Sequence, residues 1–388
     1  MHQHNSSAQE RIIGLDAIRT LAILAVVFSH TFYFLGPATS PTGAGRLLGR
    51  LIDWMQPLGA LGVELFFVLS GFLIGTMLIK TYVTSDFSAK EVRLFLQRRW
   101  FRTLPSYWLI LTINIVLYQI MGFSKIEPSK ALFYPFFQNI WFPHPPYFFG
   151  EAWSLSVEEW SYLILPISLW GITKLVAPKN KKVFLIQFLV LFAFTFILFR
   201  TLNAAQPING EDIDAGIRKV VLFRLDALVY GIIMAYVHFF KRDWLHQFRR
   251  PLLALSIIGT VLLYYCLYPK GLDLNHCSDY PRKFYVDAFL YLLLPLNYSL
   301  LLPFANSVRS IPNKLLSGLI RHISKISYSM YLIHYSLLFI PFFSFITIDN
   351  HYQVWALYML YWILLIGASS LLYRYFELPI MNLRDKLK

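Results

Sequence analysis

Apolar runs of bilayer length, separated by short basic or polar segments, set the rhythm of this chain. A run of about 17–25 mostly apolar residues is long enough to cross a membrane as a helix. Ten such runs are read: 12–35, 58–79, 104–122, 153–173, 183–199, 218–238, 251–268, 284–304, 325–344 and 353–373. The first is not expected to be a cleaved signal peptide, because it is too long, holds internal charges and lacks a small-residue cleavage site. The pattern predicts an all-α polytopic integral membrane protein, with about ten transmembrane helices around a central cavity.

Basic residues orient these spans, since Lys and Arg collect on the cytoplasmic side. With a cytoplasmic N-terminus, the inner segments 1–11, 80–102, 174–182, 239–250, 305–325 and 374–388 hold 23 Lys and Arg, and the outer loops hold 10. Both termini are therefore expected in the cytoplasm, as a tail over 1–11, a membrane domain over 12–373 and a second tail over 374–388. Composition agrees: 57% of residues are hydrophobic and only 14% charged, where a soluble domain has about a quarter charged. The net charge of +14 then reads as topology, and no separate feature points to nucleic acid. The two cysteines, Cys266 and Cys277, lie at or near the outer face and show no metal or redox spacing. No metal site is expected.

Polar residues inside apolar spans are the informative exceptions, because charge at membrane depth is costly and marks function. The first span carries Asp16, Arg19 and His30. Arg19 and His30 are eleven residues apart, so they point within about 20° of one another and lie about 16 Å apart along the helix. They are expected to face one cavity from different depths, with His30 toward the outer leaflet. Asp16 and Arg19, three residues apart, could equally form a structural ion pair.

Glu64 interrupts the second span, and Glu158 opens the fourth within EAWSLSVEEWSYLILP. Both are expected at the depth of His30, with Asp287 nearby. Glu158 and Glu159 are consecutive, so at most one faces a shared cavity. Trp153 and Ser154 lie close to Glu158 on that helix. Arg224 and Asp226 fall inside the sixth span, with Arg224 a turn or so deeper than that layer. Ser327, Tyr331 and His334 form a polar stripe on the ninth, suited either to contacts between helices or to substrate. On the inner side, QRRWFRTLP places Arg99 and Arg102 one turn apart. Two such forks suit phosphate binding, although anchoring to lipid headgroups would also explain them.

Taken together, Arg19 followed by His30, GVELFFVLSGFLIG, the pair Arg99 and Arg102 before Pro105, WSLSVEE, FRLDALVYG, SYSMYLIH and RYFELP resemble the acyltransferase-3 family of membrane O-acyltransferases. The match covers nearly the whole chain and is specific by the order of its parts. It resembles the stand-alone type, without an added SGNH hydrolase-like domain. The resemblance implies ten spans and transfer of an acyl group, most often acetyl, from acetyl-CoA or another acyl-CoA. It places His30 at the presumed catalytic histidine, with Arg19 as its charged helix partner. Arg99 and Arg102 correspond to the donor-binding pair, and Glu158 to the acidic position of the fourth span.

The expected mechanism sends the donor up from Arg99 and Arg102 past Arg19 to His30, a general base on an acceptor hydroxyl. Glu158 or Glu64 would orient His30, and Arg19 or Arg224 would stabilise the oxyanion or line the path. Glu64, Trp153, Ser154, Arg224 and His334 are candidate substrate contacts. Direct transfer and a covalent acyl-His30 relay both remain open. The acceptor is expected to be a cell-envelope or exported polysaccharide, with small-molecule and lipid-linked acceptors as alternatives. The location implied is the cell inner (plasma) membrane. A polysaccharide or proton-coupled transporter is the rival class. Against it, no inverted repeat or paired broken helices are read from the sequence.

Overall fold

The computed structural model describes residues 11–32, 34–35, 43–55, 57–122, 140, 148–204, 217–267, 289–344, 346 and 351–386. Among them every regular element is helical: α1 (Ile13–Thr31), α2 (Gly43–Met55), α3 (Leu58–Thr84), α4 (Ala89–Met121), α5 (Ala152–Val176), α6 (Lys181–Ala204), α7 (Val229–Phe240), α8 (Arg242–Leu267), α9 (Tyr291–Ser299), α10 (Leu302–Ser307), α11 (Lys314–Ile333), α12 (Ile340–Ser344), α13 (His351–Leu372) and α14 (Leu378–Lys386). A π-helical segment, His334–Phe339, joins α11 to α12, and a second, Tyr373–Glu377, joins α13 to α14. Asp287 and Cys277 lie outside the described residues.

Among the described residues, six helical stretches are long and apolar enough to cross a membrane: Ile13–Thr31, Gly49–Thr84, Ala89–Met121, Lys181–Asn203, Lys314–Ser344 and Tyr352–Arg384. The other predicted spans fall on less uniform structure. The fourth lies in α5, whose first turns carry Ser154, Ser156, Glu158 and Glu159. The seventh lies in α8, which opens with charged residues.

The sixth and eighth predicted spans are interrupted rather than continuous. In the sixth, a single 3-10 turn at Val221–Phe223 is followed by non-helical backbone at Arg224, and regular α-helix resumes only at α7. In the eighth, Pro303 stands at the start of α10 and a break separates it from α9. At the break the backbone tightens, Leu300 N–H donating to Asn297 O and Leu301 N–H to Tyr298 O. Broken helices, not read from the hydropathy pattern, are thus present.

The core is a sandwich of α1, α3 and α7, with α11 against the other face of α1 and α13 beyond it. Small residues let the backbones meet. A Cβ on Gly71 would lie 2.0 Å from the Leu228 carbonyl oxygen, and one on Gly231 would lie 2.0 Å from that of Val68. Only glycine fits at this crossing. Another local device starts α4: Ser88 and Glu91 form a capping box, with Ser88 N–H donating to the Glu91 carboxylate at 2.8 Å. That start fixes where α4 presents Arg99 and Arg102.

Candidate active site

Five helices enclose one cavity of about 760 Å³ of empty space, part of it open to solvent. Arg19 enters from α1, Arg99 and Arg102 from α4, Ser154 and Glu158 from α5, and Tyr328 and Tyr331 from α11, while Phe66, Phe67 and Leu73 of α3 supply an apolar wall. Three guanidinium groups therefore face one carboxylate.

Their partners decide how much of that charge is cancelled. Glu158 accepts a hydrogen bond from the Tyr162 hydroxyl one turn on. The Arg99 guanidinium lies over the Tyr162 ring, 5.6 Å from its centroid. Among the described residues, neither Arg99 nor Arg102 has a carboxylate within ion-pair distance. Arg19 is 3.8 Å from Asp16, but Asp16 is held more closely by Arg11 at 2.6 Å and by the Ser324 hydroxyl at 2.6 Å. The i,i+3 pair exists, and Arg11 takes the larger share of it. Glu159 is buried and is not among the residues that line the cavity, in keeping with the consecutive spacing.

His30 does not line this cavity. Its Nδ1 lies 2.8 Å from Nε2 of His334, which is fully buried. Nδ1 of His334 lies 2.8 Å from the backbone oxygen of Tyr331, and Tyr331 does line the cavity. The polar stripe on α11 is thus divided: Ser327 and Tyr331 face the cavity, and His334 faces His30. At the same place the Ser154 hydroxyl meets the Tyr331 hydroxyl at 2.5 Å, and Tyr331 donates in turn to the Glu151 carbonyl at 3.0 Å.

The remaining predicted site residues have other partners. Glu64 binds Arg224 at 2.5 Å with both side chains buried, and Arg224 also lies 4.1 Å from the Tyr291 ring centroid. Trp153 packs edge-on against Phe67 and beneath the Arg218 guanidinium. Asp226 is held by Arg200 at 2.5 and 2.8 Å and by the Tyr230 hydroxyl. Hence neither Glu64 nor Glu158 holds the hydrogen-bond position that His334 occupies on His30, and Arg224 does not line the cavity.

Two residues join the site without having been singled out in the sequence. Tyr162 lies one turn beyond Glu158, a spacing that marks a shared face. Glu151 is fully buried, and its carboxylate accepts from Ser336 N–H at 3.1 Å and from the Ser336 hydroxyl at 2.6 Å. It caps the π-helical segment that begins at His334. Its position seven residues before Glu158 was the available signal.

A family model for the acyltransferase domain, Acyl_transf_3, matches residues 12–374. The chain belongs to the acyltransferase-3 family. The O-acetyltransferase OatA of Staphylococcus aureus strain NCTC 8325 is 25% identical over 387 residues, covering 95% of this chain and 57% of the relative. OatA of strain COL of the same species matches equally. The chain spans little more than half the length of these curated relatives. No solved structure matches it significantly. Within the family's domain, the cavity and the histidine pair are the polar centres that bring together most of the predicted residues.

Proposed function

We propose that this chain is a membrane O-acyltransferase of the cell inner (plasma) membrane. It moves an acyl group, most simply acetyl, from acyl-CoA to a hydroxyl of a cell-envelope or exported polysaccharide. The observation that carries this reading is the cavity in which Arg19, Arg99 and Arg102 face a single carboxylate. Such a surplus of forked cations suits the phosphates of a nucleotide donor. The related OatA proteins, named as O-acetyltransferases, support acetyl as the group moved.

Arg99 and Arg102 hold the donor's anionic end in this reading. The long arm carries the thioester along the apolar wall of Phe66 and Phe67, past Arg19, toward the histidine pair. His30 takes the proton of the acceptor hydroxyl while that oxygen attacks the thioester carbonyl. The carbon–sulfur bond breaks, and the departing thiolate recovers the proton from the imidazolium. Along α1, His30 stands about 16 Å from Arg19, so the anionic and reacting ends of the donor are held well apart. The interrupted segments do not favour transport, because the buried cations there, Arg224 and Arg200, are each matched by a carboxylate.

The test is transfer of labelled acetyl from acetyl-CoA to envelope glycans in membranes holding the wild type, His30→Ala or Arg99→Ala. Loss in both variants at normal membrane levels supports the reading. Undiminished transfer by His30→Ala removes its central residue. Absence of transfer by the wild type counts against the polysaccharide acceptor and moves the search to lipid-linked and small-molecule hydroxyls.

A further inference from the structure

The contacts around His334 carry information about protons as well as positions. A backbone carbonyl can only accept a hydrogen bond, so the 2.8 Å contact between the Tyr331 oxygen and Nδ1 of His334 places a proton on that nitrogen. In a neutral imidazole the other nitrogen, Nε2, then carries a lone pair. That lone pair faces Nδ1 of His30 at 2.8 Å. The ring planes are within 17° of parallel and their centroids are 5.0 Å apart. The 2.8 Å contact plus the two ring radii accounts for nearly all of that separation, so the nitrogens meet edge to edge, in plane, as a hydrogen bond requires.

We infer that His334 is a positioning residue: it holds His30 as the Nδ1–H tautomer, making Nε2 the atom that receives the acceptor's proton. The chain of donors runs from His30 Nδ1–H to His334 Nε2, and from His334 Nδ1–H to the Tyr331 carbonyl. The local fold supports this geometry at three points. The helix changes to π-helical winding at His334, a feature frequent at functional sites. Glu151 binds both the N–H and the hydroxyl of Ser336, two residues on. The Tyr361 hydroxyl donates to the His334 carbonyl at 2.9 Å. His334 is thus fixed from α5 and α13 as well as from its own helix.

The tautomer follows from these contacts alone, whereas its catalytic consequence rests on the acyl-transfer reading. When Nε2 of His30 takes the hydroxyl proton, the positive charge forms on a ring whose Nδ1–H already points at an acceptor, so no group need move. Without His334 the acceptor that fixes the proton on Nδ1 is lost, and the other tautomer presents a proton where a lone pair is needed.

The experiment is 15N magnetic resonance of the full chain in lipid bilayers with labelled histidine, His30 and His334 being assigned from His30→Ala and His334→Ala samples. The wild type is expected to show His30 protonated on Nδ1 and unprotonated on Nε2. His334→Ala should shift His30 toward the Nε2–H form, and His334→Gln, whose side-chain oxygen can accept in place of the lost nitrogen, should restore it. Acetyl transfer should follow the tautomer, falling between about 10²- and 10⁴-fold in His334→Ala, the range for a lost general base, and recovering substantially in His334→Gln. An Nε2–H tautomer for His30 in the wild type overturns the inference. So does equal loss of transfer in both variants with the His30 tautomer unchanged. If the wild type transfers nothing, the acyl-transfer reading fails on its own, while the magnetic resonance still decides the tautomer.

Discussion

Removing the Glu64 carboxylate tests how far the buried charges of this bundle depend on one another. Arg224 and Glu64 are both essentially inaccessible to solvent and meet at 2.5 Å. Among the described residues, Arg224 Nε and Nη1 and Glu64 Oε2 have no hydrogen-bond partner. The pair is therefore incompletely satisfied, and its attraction has to offset the desolvation of two ions. Under those conditions, loss of one partner costs about 3–5 kcal/mol, because the other charge is left stranded. Replacing both by apolar residues of similar volume is often neutral or stabilising by about 1–4 kcal/mol. Glu64→Gln alone should destabilise the protein by about 3–5 kcal/mol, and Glu64→Leu with Arg224→Met should return it to within about 1 kcal/mol of the wild type or above it. Unfolding of the purified protein in detergent, followed by loss of monodispersity, reads both. A cost below about 1 kcal/mol for Glu64→Gln, or a double variant costing the sum of its singles, would refute the reasoning. Acetyl transfer by a stable double variant adds a second answer: normal transfer makes the pair structural, and none makes Arg224 part of the reaction.

Three further outcomes are expected. Arg99→Lys should raise the donor KM by about 10–100-fold, the worth of one charge-assisted hydrogen bond, because an ammonium can neither fork nor stack as the guanidinium does on Tyr162; an unchanged KM in steady-state transfer would contradict that role. Gly71→Ala should destabilise by about 1–3 kcal/mol or more, since its Cβ would meet the Leu228 carbonyl oxygen at 2.0 Å, whereas Gly171→Ala, with no atom within 4 Å of the added Cβ, should leave the melting temperature unchanged or slightly raised. Glu151→Gln keeps one acceptor oxygen where the carboxylate offers two to Ser336, and should cost about 1–3 kcal/mol together with reduced transfer, both measurable on the same purified sample.

Spacing along one helix was legible only in part, since His30, eleven residues beyond Arg19, does not line the cavity that Arg19 lines. Arg99 and Arg102 do share a cavity, and of the consecutive glutamates only Glu158 faces it. What depends on the direction a helix faces was not legible. Height along a span follows from counting residues, so Glu64, Glu158 and His30 looked like one layer. Rotation about the helix axis sends Glu64 to Arg224, Glu158 to Tyr162, and His30 to His334 across 304 positions of sequence. No local pattern encodes such a pairing. Hydropathy likewise averages over a window and so hid the breaks at 221–228 and 300–301, although Arg224, Asp226 and Pro303 were visible inside those windows.

Those breaks bear on why the cavity stands apart electrostatically. Where the chain leaves regular helix around Arg224 and Asp226, it does so beside ionic side chains that pair: Arg224 with Glu64, and Asp226 with Arg200. At the start of α1 the same economy holds, Arg11 taking most of Asp16. In these places the bundle pairs its buried ions, since an unpaired one there is expensive. Arg99, half-buried, and Arg102, exposed, line a part-open cavity with no carboxylate in ion-pair reach among the described residues, and the acid that lines the same cavity, Glu158, is held by a tyrosine. Solvent or an anionic ligand in that part-open space compensates both guanidiniums. An anion that brings its own phosphates and a long neutral arm fits both the charge of that cavity and its apolar wall toward Tyr331, one turn of helix before His334.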